Sequence, residues 1–220
     1  MKQPRSETTR IAKILRRLKK QYPNAKIALR YKTNWELLVA VILSAQCTDK
    51  KVNEVTARLF KKYKTLEDYV HAKPKEFERD IHATGFFRAK AKAILMTAKI
   101  LKEKFNGRVP NTMDEILTLR GVARKTANVV LGNAYGIVEG IAVDTHVRRL
   151  AKRLGLSKHF DPVKIEQDLM KLFPKEEWFS LTYRLINHGR AVCSAKDPRC
   201  DLCPLSDICP SAFPFPRFKK

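Results

Sequence analysis

Apolar residues recur along most of the chain at the three- and four-residue spacing that is typical of amphipathic helices. The clearest stripe consists of six residues, Phe87, Ala91, Ile94, Ala98, Leu101 and Phe105. Four lysines of the same segment are predicted to lie elsewhere on the helix surface, namely Lys90, Lys92, Lys99 and Lys102. Asn106 and Gly107 predict the end of this helix, because both residue types readily adopt the left-handed conformation found there. A similar stripe, made of Ile11, Ile14, Leu15 and Leu18, predicts a first helix.

Capping residues and helix breakers predict five further helices. They run from about Met113 to Arg120, from Arg124 to Tyr135, from Asp144 to near Gly155, from Pro162 to near Pro174, and from Glu176 to His188, where Gly189 ends the last. The segment 138–143 is the best strand-like run, but Gly140 interrupts it, and no pair of strands with turn signals is apparent. We therefore predict an all-α fold.

The chain carries a large excess of positive charge. It has 45 Lys and Arg against 22 Asp and Glu, a formal net charge of +23. This excess favours a polyanionic partner, DNA or RNA first and an anionic membrane surface second, while a basic but inert surface stays open. No apolar run approaches the roughly 18 residues of a membrane span, and no segment is typical of a signal peptide.

Four of the five cysteines lie within a short C-terminal segment of spacing C-x6-C-x2-C-x5-C: Cys193, Cys200, Cys203 and Cys209. Clustering without a secretory signal favours a metal site over disulfides. Zinc and a [4Fe–4S] cluster are the two candidates, and the single short C-x2-C spacing modestly favours the cluster. The remaining cysteine, Cys47, is interpreted as a buried thiol.

A very short turn joins two predicted helices in the segment 119–127. The backbone N–H groups at the start of the second helix point outward and attract an anion. A DNA phosphate suits this site, because the contact does not depend on base identity.

Lys125 lies in the first turn of that second helix, where the helix dipole disfavours the ammonium form. A neutral amine is a nucleophile, but binding of phosphate by the charged lysine is an equally good interpretation. Asp144 begins another predicted helix, whose dipole favours the carboxylate. This carboxylate either stabilises positive charge on a sugar or simply caps the helix, and the residue alone favours the cap.

Taken together, these segments resemble the helix-hairpin-helix DNA glycosylases that carry a [4Fe–4S] cluster. The resemblance depends on the segments 42–49, 121–130 and 143–146 and on the four-cysteine loop, and it covers the chain from about Ile11 to Cys209. It implies a [4Fe–4S] cluster rather than zinc.

The resemblance also implies the architecture and the reaction. The expected architecture is a six-helix barrel domain with the helix-hairpin-helix at 27–137 and an iron–sulfur cluster domain at 1–26 and 138–220. The expected partner is double-stranded DNA with damaged bases or abasic sites, from which the target nucleotide is extruded. The enzyme is expected to be a monomer, to have no membrane association, and to lie in the cytoplasm with the nucleoid of a prokaryote.

Residue roles carry over by motif match. Lys125 is the expected nucleophile at the sugar C1′, forming a Schiff base that leads to β-elimination, and Asp144 is the essential carboxylate. Gln46 fills the vacated space, and Phe86 is the apolar wedge. The expected DNA contacts are Gln46, Phe86, Gly121, Val122, Ala123, Arg124, Thr126 and His146.

Two residues depart from the family hairpin, which usually reads Leu-Pro-Gly-Val-Gly. Arg120 replaces the proline, and Ala123 replaces the second glycine. If position 123 requires a positive φ, alanine costs on the order of 1 kcal/mol there. Monofunctional mismatch glycosylases are one alternative, and Lys125 argues against them. A non-catalytic iron–sulfur DNA-binding protein is the other, and it would require Lys125 and Asp144 to be structural.

Overall fold

The computed structural model describes residues 5–214, with side chains from residue 7 onward. Eleven α-helices occur in this range: α1 (Arg5–Gln21), α2 (Asn34–Leu43), α3 (Asp49–Lys62), α4 (Leu66–Val70), α5 (Pro74–Asp80), α6 (Phe87–Lys104), α7 (Met113–Leu117), α8 (Arg124–Tyr135), α9 (Thr145–Arg153), α10 (Pro162–Leu172) and α11 (Trp178–Ala191). Four short 3₁₀ helices join them, at His82–Thr84, Lys175–Glu177, Cys200–Leu202 and Ser206–Ile208. No residue of this range belongs to a strand, so the all-α prediction is confirmed.

The chain divides into two compact units. We call Ala28–Ile137 the hairpin unit, and the described residues of Met1–Ile27 and Val138–Lys220 the cysteine-loop unit. The further description of these units as a six-helix barrel domain and an iron–sulfur domain stays a prediction.

Helix α2 forms the centre of the hairpin unit. Every residue from Leu37 to Leu43 is buried, as expected for a helix that is covered on all sides. Helices α3, α6 and α8 pack against it. The turn that follows α2 and the turns that precede α6 and α8 are therefore attached to one common core.

In the cysteine-loop unit, α11 packs against both α1 and α9, and α9 also packs against α10. The apolar core includes the fully buried side chains of Ile14, Leu18, Leu150, Leu169 and Leu181. The cysteine-bearing segment lies on this core through Leu205, which is also fully buried.

Several predicted helix ends are confirmed, and three details are wrong. Helix α8 has the predicted ends, but α7 stops at Leu117 rather than Arg120. Gly189 does not end its helix, because α11 continues to Ala191. A Cβ atom at Gly189 would lie 2.9 Å from both Arg149 and His146, so this glycine allows close packing against α9.

The third error concerns Lys90, which is not on the surface of α6. It is 5% exposed and lies in the core of the hairpin unit. Cys47, expected to be buried, is half-buried in the turn that follows α2. The sequence of the tail, residues 213–220, predicts an extended basic segment, and residues 215–220 of it lie outside the described residues.

Candidate active site and metal centre

The hairpin between α7 and α8 is held firmly by α6. Gly121 has φ +78°, a conformation that favours glycine, and a Cβ atom there would approach the Cβ of Ala93 to 2.8 Å. The hydroxyl of Thr97 donates a hydrogen bond of 3.0 Å to the carbonyl of Arg120. The side chain of Val122 is buried and holds the turn against the core of the hairpin unit. The chain therefore reaches the start of α8 in a defined direction without a proline at position 120.

Ala123 is the N-cap residue of α8, and its φ of −100° removes the strain that a positive φ would have caused. Alanine carries no side-chain oxygen to accept an N–H of the first turn, and no side-chain cap is present. This helix N-terminus keeps the backbone arrangement and dipole that bind an anion.

Lys125 is the second residue of α8 and is half-buried, as are its neighbours Arg124 and Thr126. From Ala127 onward the helix is buried, so Lys125 stands where the helix leaves the core. Its position in the first turn agrees with the sequence prediction, and it belongs to the hairpin unit.

Three exposed non-glycine residues of the hairpin unit have a left-handed backbone: Asn106, which follows α6, and the two expected DNA contacts Gln46 and Phe86. Gln46 follows α2 with φ 52°, and Phe86 precedes α6 with φ 47° and a side chain that is 64% exposed. Such a conformation costs a non-glycine residue of order 1 kcal/mol, so it persists only where the surroundings enforce it. The sequence pointed to both residues but gave no sign of their backbone conformation.

Asp144 is the N-cap residue of α9 in the cysteine-loop unit. Its Oδ1 accepts the N–H of Val147 at 2.8 Å, so the capping interpretation is confirmed. The carboxylate is half-buried rather than enclosed. A cap bond leaves a carboxylate with further acceptor capacity, so capping and chemistry are compatible at this residue.

Arg149 connects the start of α9 to the end of α11, which the sequence analysis did not anticipate. Its guanidinium donates to the carbonyls of Gly189 at 2.9 Å and Cys193 at 3.0 Å, and it lies 3.1 Å from His146 Nδ1. Burial lowers the pKa of Arg149, while electrostatic attraction by Cys193 and Asp144 acts in the opposite direction. In the sequence, the only sign of this role of Arg149 is its position one helical turn after His146.

The four C-terminal cysteines line one pocket, together with Arg153, His188 and Pro198. Three polar groups approach their sulfur atoms. Arg153 donates to Cys193 Sγ at 3.2 Å, the N–H of Leu205 donates to Cys203 Sγ at 3.4 Å, and His188 Nε2 lies 3.4 Å from Cys203 Sγ. Such groups commonly surround metal-bound thiolates and set their charge balance.

The burial of these thiols bears on whether they bind a metal. Among the described residues, no three His, Cys, Asp or Glu side chains are arranged to hold a single metal ion. Burial raises the pKa of Cys203 to about 11 and also raises the pKa of Cys209. Thiols this buried stay protonated unless a cation binds them, because the charged form is poorly solvated. Four thiols that line one pocket could together hold a metal centre if a cation were bound.

The comparisons with known proteins agree with this geometry. The family model of the HhH-GPD superfamily of base excision DNA repair proteins matches residues 39–175. Endonuclease III of Synechocystis sp. is 53% identical, with 94% of each chain covered. Endonuclease III of Bacillus subtilis is 48% identical over 86% of each chain.

Solved structures give the same result. The structure of a trapped endonuclease III–DNA covalent intermediate is 45% identical and matches with a TM-score of 0.89 over 93% of this chain and 96% of that one. A thermostable thymine-DNA glycosylase, 20% identical with a TM-score of 0.82, shares the fold. The chain thus belongs to the HhH-GPD superfamily and, within it, to the endonuclease III family. Endonuclease III is a DNA glycosylase with abasic-site lyase activity, and this chain is an enzyme of that kind.

No helix of the described range is both long enough and apolar enough to cross a membrane.

Proposed function

We propose that this enzyme removes oxidised pyrimidines from double-stranded DNA and cleaves the strand through a Schiff base on Lys125. The observation that carries this proposal is the position of Lys125. It is half-buried, in the first turn of α8, directly after a hairpin whose helix N-terminus suits a DNA phosphate. A phosphate bound at this helix N-terminus would place the adjoining sugar within reach of Lys125, which lies in the first turn of the same helix.

The reaction begins with the neutral amine of Lys125. Its Nζ forms a bond to C1′ while the bond from C1′ to the base breaks, and the base leaves with the bonding electrons and takes up a proton. The sugar ring opens, O4′ takes up a proton, and an iminium joins C1′ to Nζ. Loss of a C2′ proton then forms a C2′–C3′ double bond as the bond from C3′ to oxygen breaks. Water finally hydrolyses the iminium and restores Lys125.

Asp144 assists as a carboxylate. It either accepts a proton from the attacking amine or stabilises positive charge on the sugar. Asp144 lies at the N-terminus of α9, where the positive end of the helix dipole attracts a carboxylate.

The remaining contacts divide by what they touch. Backbone and side chains of the hairpin bind phosphate, at Gly121, Val122, Ala123, Arg124 and Thr126. Gln46 fills the space that the extruded nucleotide leaves, and Phe86 enters the opposite strand as an apolar wedge. His146 makes a further DNA contact beside Asp144.

Cys193, Cys200, Cys203 and Cys209 would hold a [4Fe–4S] cluster, a role supported by the four thiols that line one pocket and by the likeness of the chain to endonuclease III. When bound, the cluster supplies four strong metal–thiolate bonds that fold the loop. The segment between Cys193 and Cys200 then offers Lys196 and Arg199 to DNA, and the loop takes no part in the bond changes. The enzyme acts as a monomer, in the cytoplasm and with the nucleoid.

Borohydride trapping tests the proposal, because reduction turns the iminium into a stable amine link between Lys125 and the DNA. Native protein mixed with abasic-site duplex should yield a covalent complex, and Lys125→Ala should yield none. Lys99→Ala on the exposed face of α6 is the matched control and should trap as the native protein does. Absence of an adduct with native protein would rule out the Schiff base, and excision without trapping would indicate a monofunctional glycosylase.

A further inference from the structure

Lys90 is a lysine in an apolar environment, where charged side chains are rarely found. It lies in the first turns of α6 and is 5% exposed. Burial lowers its pKa, since the surrounding protein solvates the ammonium less well than water does. A buried ammonium needs strong hydrogen bonds to offset this cost.

The ammonium of Lys90 bonds to two backbone carbonyls rather than to a carboxylate. Nζ donates to the carbonyl oxygen of Leu43 at 2.8 Å and to that of Thr84 at 2.8 Å. Leu43 is the last residue of α2, and Thr84 is the last residue of the 3₁₀ helix before α6. Carbonyl oxygens at the C-terminus of a helix have no N–H partner within the helix, and they attract a cation. Both are therefore suitable partners for the ammonium of Lys90.

Each of these carbonyls lies just before an exposed residue with a strained backbone, Gln46 in one case and Phe86 in the other. Gln46 follows Leu43 by three positions, and Phe86 follows Thr84 by two. Both have a positive φ, which needs support from the surroundings. One side chain therefore fixes the starting points of both turns relative to each other.

We propose that Lys90 is a positioning residue that holds the Gln46 turn and the Phe86 turn as one preformed unit for nucleotide extrusion. This inference rests on the proposed function, since it assigns those two turns to DNA. Both side chains must enter the duplex at a fixed separation, and a rigid unit avoids the ordering cost at the moment of binding. Lys90 touches neither DNA nor the reacting atoms and acts only through the two carbonyls.

The test compares a substrate that requires extrusion with one that does not. Lys90→Met keeps the length and apolar stem but removes the donors. On duplex DNA with a damaged pyrimidine, kcat/KM should fall by roughly 10- to 100-fold, the usual effect of a small misplacement. On single-stranded abasic DNA, borohydride trapping should change by less than about twofold, because nothing has to be extruded. Lys92→Met, on the exposed face of the same helix, should leave both unchanged.

A second readout follows extrusion itself. The fluorescence of 2-aminopurine beside a damaged pyrimidine rises when that pyrimidine leaves the stack, and this rise should be slower or smaller with Lys90→Met. Equal losses on both substrates would indicate a general structural role and overturn the proposal, as would unchanged excision. If Lys90→Met does not fold, Lys90→Gln, which keeps an N–H donor on a shorter side chain, must show the same contrast between substrates.

One measurement is independent of DNA chemistry. In native protein, the amide hydrogens of residues 44–47 and 84–87 should exchange more slowly than is usual for exposed turns. Fast exchange in either turn would show that Lys90 does not clamp the two turns together, and would overturn the proposal. Slow exchange together with no trapping on any DNA would instead contradict the proposed function and leave the clamp intact.

Discussion

Gly121 occupies the position of the hairpin where a side chain is least tolerated. Two independent causes coincide there, a φ of +78° and the approach of Ala93. Gly136, at the end of α8, shares only the first cause, because it has φ +68° and nothing within 4 Å of a built Cβ. Comparing alanine substitutions at these two glycines therefore distinguishes the cost of backbone strain from the cost of steric overlap.

Gly121→Ala should lower the free energy of unfolding by more than Gly136→Ala does. The strain of a positive φ costs about 1 kcal/mol in both, and overlap with Ala93 adds about 1–3 kcal/mol at position 121. Urea unfolding measures the difference. Affinity for abasic-site DNA should also fall more for Gly121→Ala, because the turn sets the phosphate-binding N–H groups. Equal effects of the two substitutions would show that the hairpin yields easily and does not depend on contact with α6.

At the scale of the helix, Asp144 serves as a cap, and the chain provides a second cap of the same kind. Asp161 caps α10 by accepting the N–H of Lys164 at 2.9 Å, much as Asp144 accepts the N–H of Val147 at 2.8 Å. Asparagine caps a helix about as well as aspartate but carries no charge. Capping and catalysis can therefore be measured separately.

Asp144→Ala and Asp161→Ala should each lower the free energy of unfolding by about 1 kcal/mol, while the two Asn variants should stay within about 0.5 kcal/mol of the native protein. Base excision should be lost in Asp144→Asn and Asp144→Ala and retained in both variants of Asp161. Thermal unfolding and single-turnover excision on a damaged duplex measure the two effects. Full activity of Asp144→Asn would reduce this residue to a cap.

Helix ends also show which features the sequence can predict. Helix α8 was predicted correctly at both ends, because a glycine-containing turn precedes it and Gly136 follows it, and both signals are local. Gly189 is a misleading signal for a helix end, because its role is tertiary, namely close contact with Arg149 and His146. Lys90 lies three residues after Phe87 and four before Ile94, on the buried stripe, but its charge suggested a surface position. Its carbonyl partners come from distant segments, and no periodicity reports them.

For the candidate site, the residues could be named from motifs, but their geometry could not. The sequence singles out Lys125, Asp144 and the four cysteines as candidates, and the positions of caps and turns follow from local signals. The left-handed backbone at Gln46 and Phe86 and the links made by Arg149 depend on packing. Only coordinates reveal such features, since they arise between segments that are remote in sequence.

Across the whole molecule, charge and metal binding have different roles. A net charge of +23 opposes a compact fold through mutual repulsion, so it favours binding of a polyanionic partner rather than folding. The cysteine loop, in contrast, is fastened to three helices of its unit. Arg17 of α1 donates to the carbonyl of Pro204 at 2.8 Å, and Arg153 of α9 donates to that of Ser194 at 2.6 Å. From α11, His188 reaches Cys203.

Because the loop is joined to α1, α9 and α11, losing the metal should destabilise the whole protein rather than the loop alone. Purified native protein should contain iron and acid-labile sulfide in equal amounts. Cys203→Ser should contain little of either and should lose about 4 kcal/mol or more of unfolding free energy. Cys47→Ser removes the one cysteine outside the loop and should keep the native iron content and stability. Folded protein that contains zinc and no iron would contradict the cluster, whereas full stability of iron-free Cys203→Ser would show that the helices hold the loop without it.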